Sequence, residues 1–168
     1  MNNIILTGMP GAGKSTMGVI LAKTLGMNFI DTDIRIQEET GRLLQEIIDT
    51  EGPARFLAIE EQAILSLRCE NCVIATGGSV VFSRRAMEHL KTDGIVLYLR
   101  IPFKEMVQRL SNIMTRGIVL DAGQSLRAMY DQRVPLYEEY ADITLDCTDH
   151  GFETCVQRAV TELAGFPH

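Results

Sequence analysis

No uninterrupted apolar run in this chain approaches the roughly 20 residues that a helix needs to cross a bilayer. The N-terminus enters an apolar stretch almost at once, leaving no room for a signal peptide. These two absences predict a cytoplasmic protein with no membrane partner. Basic residues are also in deficit, 16 Lys and Arg against 22 Asp and Glu, for a net charge of −6. Nucleic-acid binding rests on a basic surface, so a nucleic acid is not expected as the main partner, and the acidic excess serves solubility. Internal repeats, low-complexity tracts and interdomain linkers are missing as well. With 46% hydrophobic and 23% charged residues over 168 positions, residues 1–168 read as one globular domain, expected to be a monomer.

Cysteine is scarce, at four residues. Cys69-x-x-Cys72 and Cys147-x-x-His150 imitate zinc-ligand spacing. In the parallel sheet argued below, however, Cys72 begins the third strand and Cys147 ends the fifth. Two strands at about 4.8 Å spacing would lie between them, so one zinc cannot take all four ligands. Reduced thiols are expected.

What is present begins at residues 4–16. Ile4 to Leu6 reads as a short buried strand. It runs into Gly8-Met-Pro-Gly-Ala-Gly13-Lys14-Ser15, which fits the G-x-x-x-x-G-K-[ST] phosphate loop at every fixed position. A helical stretch, Met17 to Leu25, follows. Glycines 8, 11 and 13 let backbone N–H groups approach phosphate oxygens, and the helix N-terminus adds partial positive charge. Gly11, Ala12, Gly13, Lys14, Ser15 and Thr16 are therefore the expected ATP cradle. Lys14 reaches the terminal phosphates, and the Ser15 hydroxyl is a ligand for Mg²⁺.

Down the chain, Met27 to Ile30 predicts a second strand ending in Asp31-Thr-Asp33. Alternation along extended backbone would put both carboxylates on one side, one for Mg²⁺ and one to receive a hydroxyl proton. The rival reading has Asp33 capping a helix that begins near Ile34. Residues 34–50 read as helical with a break at Gly41, and Gly52-Pro53 opens another helix with Phe56, Ile59, Ala63 and Leu67 on its core face. Val73–Ala75, Gly94–Leu99 and Asp142–Asp146 are further strands, and helices are expected over 83–91, from Pro102, over 125–140 and over 152–164. Thr76-Gly77-Gly78-Ser79 allows close approach of backbone to a ligand. Residues 111–123, with Gly117 and Gly123, lack a sustained period and read as a mobile lid. Alternating strands and helices imply a parallel α/β sheet covered on both faces, with function at the strand C-termini.

With these residues in place, nearly the whole chain resembles the shikimate kinases, in the nucleoside-monophosphate-kinase-like P-loop group. The family's landmarks are the phosphate loop, D-x-D, F-R-x-x-E, G-G-G, R-P-L-L and R-x-P-x-Y. Here they read Gly8–Thr16, Asp31-Thr-Asp33, Phe56-Leu-Ala-Ile-Glu60, Gly77-Gly-Ser79, Arg116-Gly-Ile-Val119 and Arg133-Val-Pro-Leu-Tyr137. The resemblance implies a three-layer P-loop kinase fold with strand order 2-3-1-4-5, acceptor-binding helices over about 34–67 and a lid over about 111–123. It implies ATP and Mg²⁺, with Asp31 assisting the metal, Arg109 near the adenine and Arg116 swinging over the phosphates. Asp33 would bind the acceptor and act as base, Gly77, Gly78 and Ser79 would form its turn, and Arg133 would hold its carboxylate.

The departures lie on the acceptor side. Leu57 stands where the family has a carboxylate-binding arginine, Ser79 replaces a glycine, and Gly117 replaces the lid proline, which predicts a looser lid. Arg55 lies about 200° away around the helix and cannot simply take over. The implied activity is phosphorylation of a hydroxyl on a small carboxylate metabolite, with shikimate as the family's acceptor. Homoserine or another small hydroxy or amino acid is the alternative, with Leu57 as an apolar wall, and a nucleotide-binding regulator without catalysis is a second.

Overall fold

A computed structural model describes residues 2–111, 117–148 and 150–166. Its strands are β1 (Asn3–Gly8), β2 (Asn28–Asp31), β3 (Cys72–Ala75), β4 (Gly94–Arg100) and β5 (Ile143–Asp146). They form one parallel sheet in the order β2-β3-β1-β4-β5, as the resemblance implied. The helices are α1 (Lys14–Leu25), α2 (Thr32–Thr40), α3 (Leu44–Glu51), α4 (Pro53–Ser66), α5 (Arg84–Thr92), α6 (Phe103–Ser111), α7 (Leu126–Tyr140) and α8 (Phe152–Ala164), with a 3₁₀ turn at Val80–Phe82.

β1 and β3 are buried along their whole length, which is why they read as continuous apolar runs rather than alternating ones. Register brings the strand ends level: Leu6 pairs with Ala75, and Ala75 pairs with Asp31. The phosphate loop, Asp31 and the Thr76–Ser79 turn therefore emerge from one edge of the sheet. That edge is where an open α/β sheet presents its ligand crevice.

The apolar core is in two parts. The larger surrounds the sheet, with Ile5, Leu6, Val73, Val96 and Leu97 among its members. The smaller gathers Ile36 of α2, Leu44, Ile47 and Ile48 of α3, Phe56 and Ala63 of α4, and Val119. Gly41 breaks the helical run of residues 32–51 as expected, with a left-handed φ of 66° after α2.

One expectation about the cysteines is corrected. Cys147 and Cys155 are joined in a disulfide, and Cys69 and Cys72 are the free thiols. The turn from β5 into α8 brings the bonded pair to a Cα separation of 5.7 Å, a juxtaposition the linear spacing did not reveal. None of the described helices is long and apolar enough to cross a membrane.

Candidate active site

The phosphate loop leaves β1 at Gly8 and ends where α1 begins. Gly11 and Gly13 hold φ values of 82° and 89°, which favour glycine. No side chain caps the first turn of α1, so its leading N–H groups are left for an anion. Lys14 is buried, and its ammonium donates to the carbonyls of Gly8 and Met9 at 2.8 Å each. The charge is thereby folded back over the mouth of the loop. Ser15 and Thr16 are exposed beside it.

The two aspartates divide differently from the alternation argument. β2 stops at Asp31 and α2 starts at Thr32, so Asp33 lies in a helical first turn and not on a strand. Asp31 is the cap: its carboxylate accepts from the N–H groups of Asp33 at 2.9 Å and Ile34 at 3.2 Å. Its other oxygen accepts from the Ser15 hydroxyl at 2.5 Å. Two hard oxygen ligands thus meet at the loop's edge, a donor set that fits Mg²⁺ held together with water and phosphate oxygens.

A cavity of about 680 Å³ opens over this edge. Gly13, Lys14, Ser15 and Thr16 line one side, and Asp33, Thr76 and Gly78 another. Gln37, Leu44, Gln45, Glu46 and Asp49 of α2 and α3 close it, together with Gly117 and Ile118. Sequence reasoning missed this polar wall of α3, because nothing in its pattern says which face turns inward.

Arg133 is 1% exposed, among the most deeply buried side chains. Its guanidinium lies over the Phe82 ring, 5.2 Å to the centroid, and one nitrogen donates to the Val119 carbonyl at 2.6 Å. A second nitrogen sits 3.1 Å from where a Cβ on Gly78 would be, so a side chain at 78 would crowd it. Tyr137, one helical turn further along α7, donates its hydroxyl to the Gly78 carbonyl and stacks on Tyr98. Both α7 residues thus brace the Gly77-Gly78 turn from behind.

Glu60, named in the sequence only as part of a motif, is buried behind the same turn. Ser79 donates to its Oε1 at 2.8 Å, while Oε2 is buried with no hydrogen-bond partner among the described residues. A Cβ on Gly77 would fall 2.6 Å from that oxygen and 2.8 Å from Oδ1 of Asp33. Glycine at 77 lets the two carboxyl groups converge. Burial pushes the Glu60 carboxyl up to about 7, the Ser79 hydrogen bond pulling the other way.

Other expected residues lie elsewhere. Leu57 is half-buried against the smaller core, and it is not among the residues lining the cavity. Arg55 is exposed and loosely paired with Glu51 at 3.9 Å. Arg109 of α6 flanks the loop, donating to the Gly11 carbonyl at 2.9 Å and pairing with Glu105. Beside it, Ala12, Met17, Arg109, Phe152 and the Cys147–Cys155 bridge line a smaller cavity of about 110 Å³. Phe152 presses its ring against Gly13, and nothing in the sequence marked it for that position. Arg116 lies outside the described residues.

Gly117 packs closely on α3. A Cβ there would fall 2.3 Å from the Leu44 Cβ, so glycine permits the chain to lie directly on α3. Val119, 5% exposed, is part of the smaller core, and its carbonyl is held by Arg133.

A family model described as shikimate kinase matches residues 10–164. The shikimate kinase of Thiobacillus denitrificans is 40% identical over 148 residues, covering 86% of this chain and 81% of that one. The enzyme of Haemophilus influenzae is 39% identical over 162 residues, covering 94% and 90%. Shikimate kinase from Acinetobacter baumannii in complex with shikimate superposes with a TM-score of 0.89 at 32% identity, over 98% of this chain and 94% of that one.

Proposed function

The chain belongs to the shikimate kinase family, and from that premise we propose that it transfers the γ-phosphoryl group of ATP to a hydroxyl of shikimate. The observation that carries this reading is a single cavity lined by Lys14 and Ser15 on one side and by Asp33 on the other. Arg133, buried behind Gly78 and not among the residues lining the cavity, would supply the cation for the acceptor's carboxylate.

In the proposed reaction Asp33 orients the acceptor hydroxyl and takes its proton as the oxygen attacks. The new bond joins that oxygen to the γ-phosphorus, and the bond from phosphorus to the β,γ-bridging oxygen breaks, leaving ADP. Lys14 and the N-terminus of α1 stabilise charge on the phosphoryl oxygens. Ser15 and Asp31 would hold Mg²⁺, which supplies neutralising charge on the phosphates when bound. Arg109 and Phe152 would flank the adenine, and Gly77 and Gly78 would offer backbone to the acceptor. Gly117 and Ile118, which line the cavity, would help keep water from the phosphates. The working unit is one domain over residues 1–168, with helices 34–67 as the acceptor side, and it acts as a cytoplasmic monomer.

Glu46 and Asp49 on the cavity wall favour including a hydroxy amino acid such as homoserine beside shikimate in the assay. Turnover with shikimate in a coupled ADP assay is expected to exceed that with homoserine; the reverse order would reassign the acceptor. Asp33→Asn is expected to lose turnover by about 10²-fold or more while ATP binding, measured by calorimetry, is kept. Persistent turnover would remove Asp33 as the base, and ATP binding without turnover of the parent on any acceptor would favour a regulator.

A further inference from the structure

Glu60 is a buried carboxyl whose nearest basic position on its own helix is vacant. Residues 57 and 60 stand three apart on α4, where side chains on a helix meet, and the motif F-R-x-x-E places an arginine at the first of them. Here Leu57 occupies it and turns to the smaller apolar core. A buried acid without a partner is strongly unfavourable, so its hydrogen bonds must come from another element. They come from Ser79, beyond the end of β3, at the one position of the glycine turn that carries a side chain.

We propose that Ser79 is a positioning residue that holds Glu60 in place of the absent arginine, so that Leu57 and Ser79 are two halves of one exchange. The inference rests on the kinase reading above and deepens it on the acceptor side. With Oε1 held by the Ser79 hydroxyl, Oε2 stays turned toward Gly77 and Asp33. Without that hydroxyl, neither oxygen has a side-chain hydrogen bond among the described residues, and the carboxyl is released to rotate behind the turn that carries Gly78. The groups that act on Glu60 from the surrounding elements are Asp33 of α2, Lys14 of α1 and Arg133 of α7. All three belong to the proposed catalytic and acceptor machinery, so a displaced Glu60 carboxyl disturbs the acceptor site first. The exchange also leaves the site with one cation fewer than the motif provides. Arg133 is then the buried guanidinium left to meet an acceptor carboxylate under the proposed function.

The test is a double-mutant cycle on the full chain, using the parent, Ser79→Ala, Leu57→Arg and the two combined. KM for shikimate and for ATP are measured separately. In the parent background Ser79→Ala is expected to raise the shikimate KM about tenfold or more, the scale of a hydrogen bond to a charged group, with the ATP KM within about twofold. In the Leu57→Arg background the same change is expected to raise it less than about threefold, since the arginine supplies the missing partner. Equal factors in the two backgrounds, or an ATP KM that rises in parallel, would overturn the proposal.

Parent turnover on shikimate is recorded first, because its absence speaks against the kinase reading and not against the exchange. The cycle is then read from unfolding temperatures. A loss on Ser79→Ala that shrinks in the Leu57→Arg background supports the exchange, and an equal loss overturns it. If Leu57→Arg does not fold, Glu60→Gln takes its place as the second background. A neutral amide no longer needs the hydroxyl to hold a buried charge, so an undiminished effect of Ser79→Ala there would also overturn the assignment.

Discussion

Tyr137 lies four residues beyond Arg133 on α7, and its hydroxyl holds the carbonyl of Gly78 from beneath. Burial pushes this phenol up to about 12, so it stays a neutral donor at every working pH. Tyr137→Phe keeps the ring that stacks on Tyr98 and removes only the hydrogen bond. A buried hydrogen bond is worth about 1 kcal/mol, so the shikimate KM should rise roughly fivefold. The ATP KM should stay put, because among the described residues Tyr137 bonds to Gly78 and stacks on Tyr98 rather than on the phosphate loop. Steady-state kinetics on the purified variant checks both. At this scale the sequence was informative where chemistry is carried by residue type, as with Lys14 and Asp33. It named Glu60 and Tyr137 only as members of landmarks and did not mark Phe152; the meaning of all three comes from depth of burial and from the neighbour each one meets.

The segment 117–121 makes a contact that composition does not reveal. Gly117 lies against α3, where a Cβ would fall 2.3 Å from the Leu44 Cβ. The Leu44 Cβ cannot move without its helix, so a methyl at 117 must push the segment away. Gly117→Ala should withdraw Val119 from the smaller core and lengthen the bond from Arg133 to its carbonyl. The expected result is a shikimate KM raised by about tenfold, with faster proteolysis near residue 117 in a limited-digestion time course. An unchanged digestion pattern would show that the segment is not held by this contact. The end of β2 is a similar case. Alternation was the right rule for a strand, but Asp31 ends the strand by capping α2, and Asp33 belongs to the helix.

For the molecule as a whole, Glu60 ties stability to pH. Burial raises its folded pKa from the ordinary 4.5 to about 7. An acid raised on folding stabilises the protein fully below its unfolded value, and that contribution is lost as pH climbs from about 4.5 to 7. A shift of this size corresponds to about 3 kcal/mol. Glu60→Gln has no charge to bury, so its unfolding temperature relative to the parent should rise across that window and level off above pH 7. A constant difference from pH 4.5 to 8 would mean that folding does not raise the Glu60 pKa above its unfolded value. The alternating strands and helices, the phosphate loop and the family landmarks were legible in the sequence, because period, glycine placement and residue type are local properties. They determined the fold class, the nucleotide and the class of reaction. The pairing of Ser79 with Glu60, the docking of Gly117 on Leu44, the bracing of Gly78 by α7 and the Cys147–Cys155 bridge join residues distant in the chain or across a turn. Only the tertiary structure decided those, since which side chains meet depends on how the helices settle on the sheet.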